Sequence, residues 1–204
     1  MSRPATHWAD DVAARARGMN LYVQRMDRLF CQGSIPRADI ERVYAGSLLA
    51  FHTYLESSME RLFVGLLMGR FQSQDPAVRP LIGVDCDRVA YHIVRGERRY
   101  AAWLPYERYT LERAKAFFSS GKPFTNLSSP QIKALDRLTT LRNALSHESY
   151  SARRAFRQSF TDGKALPPDQ LRPAGYLRGL HAAGQTRFDL LLSDAVRTAR
   201  FLAQ

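Results

Sequence analysis

The first thirty residues carry apolar side chains at alternating steps of three and four, and this period limits the fold more than any other feature. The apolar stripe follows Trp8 and comprises Val12, Ala16, Met19, Val23, Met26 and Phe30. Residues spaced in this way lie on one face of an α-helix, which must then be buried. Gly33 marks the end of this helix, and Ser34 with Pro36 marks the start of a second one reaching about Arg70. We therefore expect an antiparallel pair of long helices.

The remaining chain is also predicted to be helical, apart from one irregular stretch. Pro, Asp and Gly without any period indicate a loop over 72–87, and alternating apolar residues over 89–102 favour a short β-hairpin. Further helices are predicted over 106–118, from Ser129 to about His147, over 150–160, and from about residue 186. The expected fold is an all-α helical bundle in one domain, 1–204, with a loop or short hairpin insertion around 72–105.

The charge of the chain points to a polyanionic partner. Its formal net charge is +11 over 204 residues, and lysine occurs only at 115, 122, 133 and 164, so arginine supplies most of the positive charge. A guanidinium group presents a planar fork to phosphate oxygens and stacks on exposed bases, which favours RNA or DNA over a membrane surface. A GC-rich genome is an alternative explanation for arginine in place of lysine, although it does not explain the net charge.

Cysteine usage and hydropathy exclude several classes of protein. Cys31 and Cys86 are far apart and lack a CxxC partner, so neither a disulfide framework nor a zinc site is predicted. The chain has no signal-like apolar segment and no apolar run of membrane-spanning length. We expect a cytoplasmic protein without a metal or another cofactor.

One segment combines the residue types that RNA cleavage without a metal requires. Arg142, Asn143 and His147 lie at the C-terminal end of a helix that begins with the N-cap pair Ser129-Pro130. Residues four apart share a helix face, so Asn143 and His147 should point the same way, while Arg142 needs its long stem to reach the same groove. Imidazole transfers protons near neutral pH, and arginine stabilises the extra charge on a pentavalent phosphate. The RNA 2′-hydroxyl supplies the nucleophile.

Leu-Arg-Asn-x-x-x-His at 141–147 resembles the R-x4–6-H motif of the HEPN superfamily, particularly its RNxxxH form. The long second helix, with Phe-His-Thr-Tyr-Leu-Glu-Ser-Ser-Met-Glu at 51–60, is also similar to that of the family. The likeness covers about 6–70 and 106–160. It implies a HEPN-type bundle and a metal-independent endoribonuclease of the toxin or phage-defence type, with Arg142, Asn143 and His147 as its site.

The resemblance further implies a homodimer in which two copies of these residues line one cleft. A cognate antitoxin or a defence-system protein would be an additional partner. Three arginines that follow the motif, Arg153, Arg154 and Arg157, are candidate contacts for the RNA backbone, although a solvated helix face explains them nearly as well.

Several alternatives remain open from the sequence. Arg142 could pair with Asp136 or Glu148, and His147 could act as a cation at a helix C-terminus. A non-catalytic HEPN protein that binds nucleic acid or a partner, and a basic DNA-binding regulator, are rival functions.

Other candidate residues have structural explanations. His52 is expected in a core or interface, and Glu56 with Glu60 on a solvated or salt-bridged face rather than at a metal. Aromatic residues among three arginines could stack on a single strand: Arg95, Arg98 and Arg99 with Tyr91, Tyr100 and Trp103.

Overall fold

The chain is helical over most of its length in the computed structural model, which describes residues 2–182 and 184–204. Helix accounts for 69% of the chain and strands are minor, which confirms the predicted all-α class. The α-helices are α1 (Thr6–Cys31), α2 (Arg37–Leu67), α3 (Asp87–Arg95), α4 (Glu112–Phe117), α5 (Ser129–Ser146), α6 (Tyr150–Phe156), α7 (Pro173–Arg178) and α8 (Arg187–Leu202). Among the residues described, no helix is both long and apolar enough to cross a bilayer.

Short strands form two small pairs. Strand β1 (Arg3–Pro4) runs parallel to β2 (Phe71–Gln72), with Arg3 opposite Phe71. Strand β3 (Leu180–Ala182) runs antiparallel to β4 (Gln185–Thr186). Neither pair was predicted.

The chain divides into two compact units, each assembled from separate stretches of sequence. The first, called here the Phe63 unit after a central aromatic residue, comprises Met1–Ala13, Tyr54–Asp136 and Val196–Gln204. The second, called the motif unit because it contains residues 141–147, comprises Ala14–Thr53 and Arg137–Ala195. Helices α1, α2, α5 and α8 supply residues to both units. A single domain over 1–204 stays a prediction.

The turn between α1 and α2 belongs to the motif unit and is closed by a glycine, as the sequence indicates. Gly33 has a φ of +72°, a left-handed conformation that glycine adopts without a steric penalty. Its N–H donates to the carbonyl of Phe30 at 2.9 Å. Beyond the turn, the Tyr44 hydroxyl donates to Asp27 Oδ2 at 2.5 Å. The two helices therefore run antiparallel in this unit, as predicted.

Aromatic side chains fill the core of the Phe63 unit. The fully buried ring of Phe63 lies 5.0 Å from Trp103, 4.9 Å from Phe118 and 5.1 Å from Phe124, measured between ring centroids. Tilted and edge-on contacts at these distances add attraction to the burial of apolar area. The region after the long helix pair is therefore anchored on α2 by aromatic packing.

The motif unit has its own buried centre. Phe156 and Phe160 stack with ring centroids 5.5 Å apart, and Tyr176 lies edge-on at 5.1 Å from Phe160. Leu138 and Leu141 of α5 are also buried in the core, at 1% and 0% exposure. The predicted leucine stripe of α5 is thus turned inward, which fixes the rotation of the helix that carries the motif.

The hairpin predicted near residue 90 is wrong, because α3 (Asp87–Arg95) occupies this stretch. The buried residues Ala90 and Val94 are four apart, which is the period of a helix, whereas Val89 is 47% exposed. Gly96, with a φ of +61°, then ends the helix. A stretch this short shows too few repeats for alternation to be separated from helical spacing in the sequence.

Two predicted helices are present in a modified form, and one further stretch contains structure that was not predicted. The helix predicted over 106–118 is present as a π-helical turn, Glu107–Leu111, followed by α4. The stretch between the helices predicted over 150–160 and from about residue 186 contains a 3-10 helix, Pro168–Leu171, as well as α7. The predicted helix over 150–160 consists of α6 and a π-helical turn, Arg157–Thr161.

The packing of α5 predicts different costs for two of its leucines. Leu141 is fully buried and Leu145 only partly buried. We expect Leu141→Ala to lower the free energy of unfolding by about 2–5 kcal/mol, because it removes buried methyl groups and leaves a cavity. Leu145→Ala should cost clearly less. Urea denaturation of both variants measures the difference, and equal costs would contradict this packing.

Candidate active site

The segment 141–147 lies where the buried face of α5 gives way to solvent. Leu141 is in the core, Arg142 and Asn143 are half-buried, and His147 is exposed. Helix α5 ends at Ser146, but the backbone N–H of His147 still donates to the Asn143 carbonyl at 2.9 Å. The last turn therefore holds the backbone of His147 one helical turn above Asn143.

A pocket of about 340 Å³ lies between the end of α5 and the start of α6, within the motif unit. Its walls are formed by Thr140, Asn143, His147, Ser149, Ser151, Ala152 and Ala155. Asn143 and His147 thus face one pocket, as their spacing of four residues predicts. Five of the seven lining residues are polar, so the pocket offers a ligand hydrogen-bonding groups from both helices.

Arg142 reaches the pocket through Asn143. Its Nη1 donates to Asn143 Oδ1 at 3.0 Å, although Arg142 is not part of the pocket wall. A guanidinium group has five N–H donors in a rigid fork, so this one hydrogen bond orients Arg142 and leaves most of its donors for a ligand. The structure therefore brings the three motif residues together, with Asn143 between the other two. Their catalytic roles stay predictions.

Hydroxyl groups in the pocket were missed from the sequence. Ser149 is the N-cap of α6, and its Oγ accepts the N–H of Ala152 at 3.2 Å and lies 3.2 Å from Ser151 Oγ. The preference of serine for the N-cap position was the signal that could have identified Ser149. Thr140 precedes Asn143 by three residues and His147 by seven, so helical spacing could have placed it on the same face.

The alternative that Arg142 is held in an ion pair finds no support among the residues described. Arg142 makes no ion pair there, and its hydrogen bond goes to Asn143. Glu148 Oε2 lies 3.9 Å from Arg153 Nη2, and the Glu148 side chain is 97% exposed, so this pair contributes little. The His147 ring also has no hydrogen-bond partner among the residues described. Both side chains are thus accessible to a ligand.

The three arginines after the motif lie on the outer face of α6 and of the turn that continues it. Arg153, Arg154 and Arg157 are exposed, whereas Phe156 and Phe160 on the inner face are buried. The aromatic pair holds this segment in place, so the arginines form a basic strip beginning close to the pocket. Contact with RNA through this strip stays a prediction.

His52 is a buried residue of α2, as predicted. It is 3% exposed, and its Nε2 lies 3.4 Å from Thr139 Oγ1 within the motif unit. Thr139 comes from α5, so the contact connects the long second helix to the helix of the motif. His52 therefore has a packing role and does not line the pocket.

Glu56 and Glu60 serve the packing of the Phe63 unit. Glu56 Oε1 accepts the backbone N–H groups of Trp103 and Leu104, each at 3.3 Å, and Glu60 Oε1 accepts Arg95 Nε at 3.2 Å. Within the described ranges, no three His, Cys, Asp or Glu side chains cluster closely enough to hold a metal ion. The salt-bridged interpretation of Glu60 is thus confirmed.

Most of the aromatic residues considered for base stacking around residues 91–103 are buried or covered by arginines of the same unit. Trp103 is 1% exposed, and the guanidinium carbon of Arg113 lies 4.4 Å from its ring centroid. The guanidinium carbon of Arg95 lies 5.2 Å from the centroid of the Tyr91 ring. Tyr100 is 73% exposed, but without Trp103 the cluster offers no continuous surface for stacked bases.

Comparison of the chain with protein-family models, with curated proteins and with solved structures found no match.

Proposed function

We propose that the protein is a metal-independent endoribonuclease whose active site is the pocket of Asn143 and His147, completed by Arg142. The observation that carries the proposal is that Asn143 shares a pocket with a proton-transfer group and also binds a guanidinium. His147 and Asn143 line the pocket, and Arg142 Nη1 donates to Asn143 Oδ1 at 3.0 Å. The HEPN resemblance of 141–147 supports the same residues and the same chemistry.

The proposed reaction is an intramolecular transesterification. One imidazole removes the proton of the 2′-hydroxyl, and O2′ attacks the adjacent phosphorus. The P–O5′ bond breaks, and an imidazolium returns a proton to the leaving 5′-oxygen. Arg142 stabilises the charge on the phosphorane through paired N–H donors. The products are a 2′,3′-cyclic phosphate and a 5′-hydroxyl, and neither a metal nor a covalent enzyme intermediate is needed.

A homodimer would supply the second proton-transfer group. One His147 cannot easily be both the base on one side of the phosphorus and the acid on the other. Two protomers would bring two copies of Arg142, Asn143 and His147 to one cleft. Because the His147 side chain is exposed, a second copy can approach it without rearrangement of α5.

The exposed strip of Arg153, Arg154 and Arg157 fits the RNA backbone next to this cleft, and the net charge of +11 favours the same polyanionic partner.

We further propose a cytoplasmic toxin or phage-defence effector, restrained by a cognate antitoxin or a defence-system protein. A non-catalytic HEPN protein would use the same surface to bind nucleic acid or a partner without cleaving it. Product analysis separates the two functions.

The first prediction concerns His147. We expect His147→Ala to reduce RNA cleavage by about 10²–10⁴-fold, because proton transfer is lost while the phosphate contacts stay. His181→Ala removes another exposed histidine of the motif unit and should leave the rate unchanged. Cleavage of a labelled oligonucleotide, with excess chelator present throughout, gives the rates and the chemistry of the fragment ends.

Three outcomes would contradict this proposal. They are undiminished cleavage by His147→Ala, cleavage of a substrate with a single 2′-deoxy residue at the scissile position, and activity that appears only when manganese is added. RNA binding without any cleavage by the wild-type protein would favour the non-catalytic alternative.

The second prediction concerns the guanidinium. We expect Arg142→Lys to be nearly as damaging as His147→Ala, because an ammonium group cannot clasp two phosphate oxygens. Asn143→Ala should cause a smaller loss, since Arg142 loses its anchor but keeps its charge. Arg25→Lys is the matched control at an exposed position of the same unit. Equal rates for Arg142→Lys and wild type would remove Arg142 from the mechanism.

The third prediction concerns assembly. Light scattering should give about twice the monomer mass of 23.2 kDa. Wild-type protein mixed with an excess of His147→Ala should cleave RNA more slowly than the same amount of wild type alone, because a mixed dimer contains only one His147. A monomer that cleaves RNA at an undiminished rate after dilution would contradict the composite site.

A further inference from the structure

A second pocket, of about 470 Å³, lies wholly within the Phe63 unit and plays no part in the proposed cleavage. Three arginines and two aromatic side chains surround it: Arg3, Arg61, Arg70, Phe71 and Tyr91. Arginine side chains repel one another, and their convergence on one space is unfavourable unless anions compensate it. The lining of this pocket therefore points to a ligand with its own negative charge.

The backbone builds this pocket. Strands β1 and β2 pair in parallel with Arg3 opposite Phe71, and the N–H of Arg3 donates to the Arg70 carbonyl at 2.8 Å. Gly65 of α2 lies beneath the Phe71 ring, and a Cβ at this position would overlap Phe71 Cδ2. The ring therefore packs directly on the helix backbone. Both the arginines and the aromatic floor are thus set by main-chain geometry.

The charges in the pocket are only partly compensated. Arg61 Nη2 contacts Asp11 Oδ2 at 3.2 Å, and Arg70 makes a two-pronged contact with Asp87, both distances being 2.7 Å. The Arg61–Asp11 pair is about half exposed and holds little free energy against competition by another oxyanion. The bidentate pair is stronger, since the hydrogen bonds raise the pKa of Arg70 and lower that of Asp87. Arg3 makes no ion pair among the described residues. One positive charge therefore remains in excess.

The apolar part of the lining suits a flat ring. Phe71 and Tyr91 are half-buried and line the same space. The guanidinium carbon of Arg95 lies 5.2 Å from the Tyr91 ring centroid, so this cation covers one face of Tyr91. Aromatic rings and guanidinium planes are the surfaces on which nucleobases stack. The volume lies within the range of pockets that bind small organic ligands.

We propose that this pocket is a nucleotide-binding site, in which Arg3 and Arg61 bind the phosphate and Phe71 with Tyr91 contacts the base. The site is independent of the proposed ribonuclease function and would exist in a protein that cleaves nothing. The ligand has two possible sources, a free 5′-mononucleotide or one nucleotide of a single strand. Both present the same phosphate and base to the pocket.

The experiment is calorimetric titration of the full-length protein with three probes. They are the four 5′-mononucleotides, inorganic phosphate, and a short oligonucleotide with 2′-O-methyl groups throughout. The 2′-O-methyl group blocks the nucleophile of the proposed cleavage, so binding is measured without turnover. Because Arg3 and Tyr91 lie outside the proposed ribonuclease pocket, cleavage by Arg3→Ala is measured in parallel, so failure of this proposal and failure of the ribonuclease proposal are distinguishable.

Two substitutions and one control test the residues. Arg3→Ala, on a short exposed strand, should weaken nucleotide binding by roughly tenfold or more, as expected for a lost charge-assisted hydrogen bond. Tyr91→Leu should weaken mononucleotide binding but leave inorganic phosphate unchanged. Arg200→Ala makes the same charge change at an exposed position outside the pocket, and it should bind as wild type does. Thermal melting checks that each variant is folded.

Mononucleotide binding that depends on Arg3 and Tyr91 supports a free ligand. Binding of the oligonucleotide alone, with the same dependence, supports a nucleotide within a strand. The proposal is overturned if no probe binds folded wild-type protein at millimolar concentration. It is equally overturned if Arg3→Ala and Arg200→Ala bind alike, or if phosphate binds as tightly as the nucleotides.

Discussion

Burial of the leucine stripe of α5 is the constraint on which the candidate active site depends. Successive residues of a helix are rotated by roughly 100°, so Leu135, Leu138 and Leu141 lie on one side. Asn143 and His147 then fall on nearly the opposite side, whereas Arg142 falls roughly 40° from the centre of the leucine stripe. Burial agrees, since the leucines are in the core, Arg142 is half-buried and His147 is exposed. The apolar packing of the helix thus directs Asn143 and His147 toward the pocket, and Arg142 reaches Asn143 only through its long side chain.

The sequence predicted the parts of the fold in which a long period repeats. Helices α1 and α2, the stripe of α5 and the shared face of Asn143 and His147 all follow from spacing alone. The sequence failed at α3, where Ala90 and Val94 give a single helical repeat. It also missed the pairing of β1 with β2, because residues so far apart in the chain carry no local signal of their contact.

The hydrogen bond from Arg142 to Asn143 could not be predicted from the sequence either. Adjacent helical residues do not face each other, and only the long arginine stem allows this contact. The hydroxyls of Ser149 and Ser151 belong to another element, so their presence in the pocket required the chain path after Ser146. Side-chain chemistry could be proposed from the motif, whereas the pocket itself is a tertiary feature.

Not all of the arginine content serves an anionic partner. Arg113 stacks on buried Trp103 and donates to the carbonyls of Val94 and Ala102, and burial lowers the pKa of its guanidinium. Arg187 lies over the ring of Tyr176 in the same manner. These cations act as flat, polar packing elements that lysine could not replace. The exposed arginines are therefore a better guide to a binding surface than the net charge.

The interleaving of the two units has a consequence for how the chain is made. The Phe63 unit includes Val196–Gln204, and the carbonyl of Gln204 accepts a hydrogen bond from the hydroxyl of Ser73 at 3.0 Å. The motif unit includes residues up to Ala195. Neither unit can be completed on the ribosome until synthesis has passed about residue 195, whereas ordinary domains fold in succession as they emerge. The surfaces of α1 and α2 that pack against these later segments consequently stay uncovered until the end of synthesis.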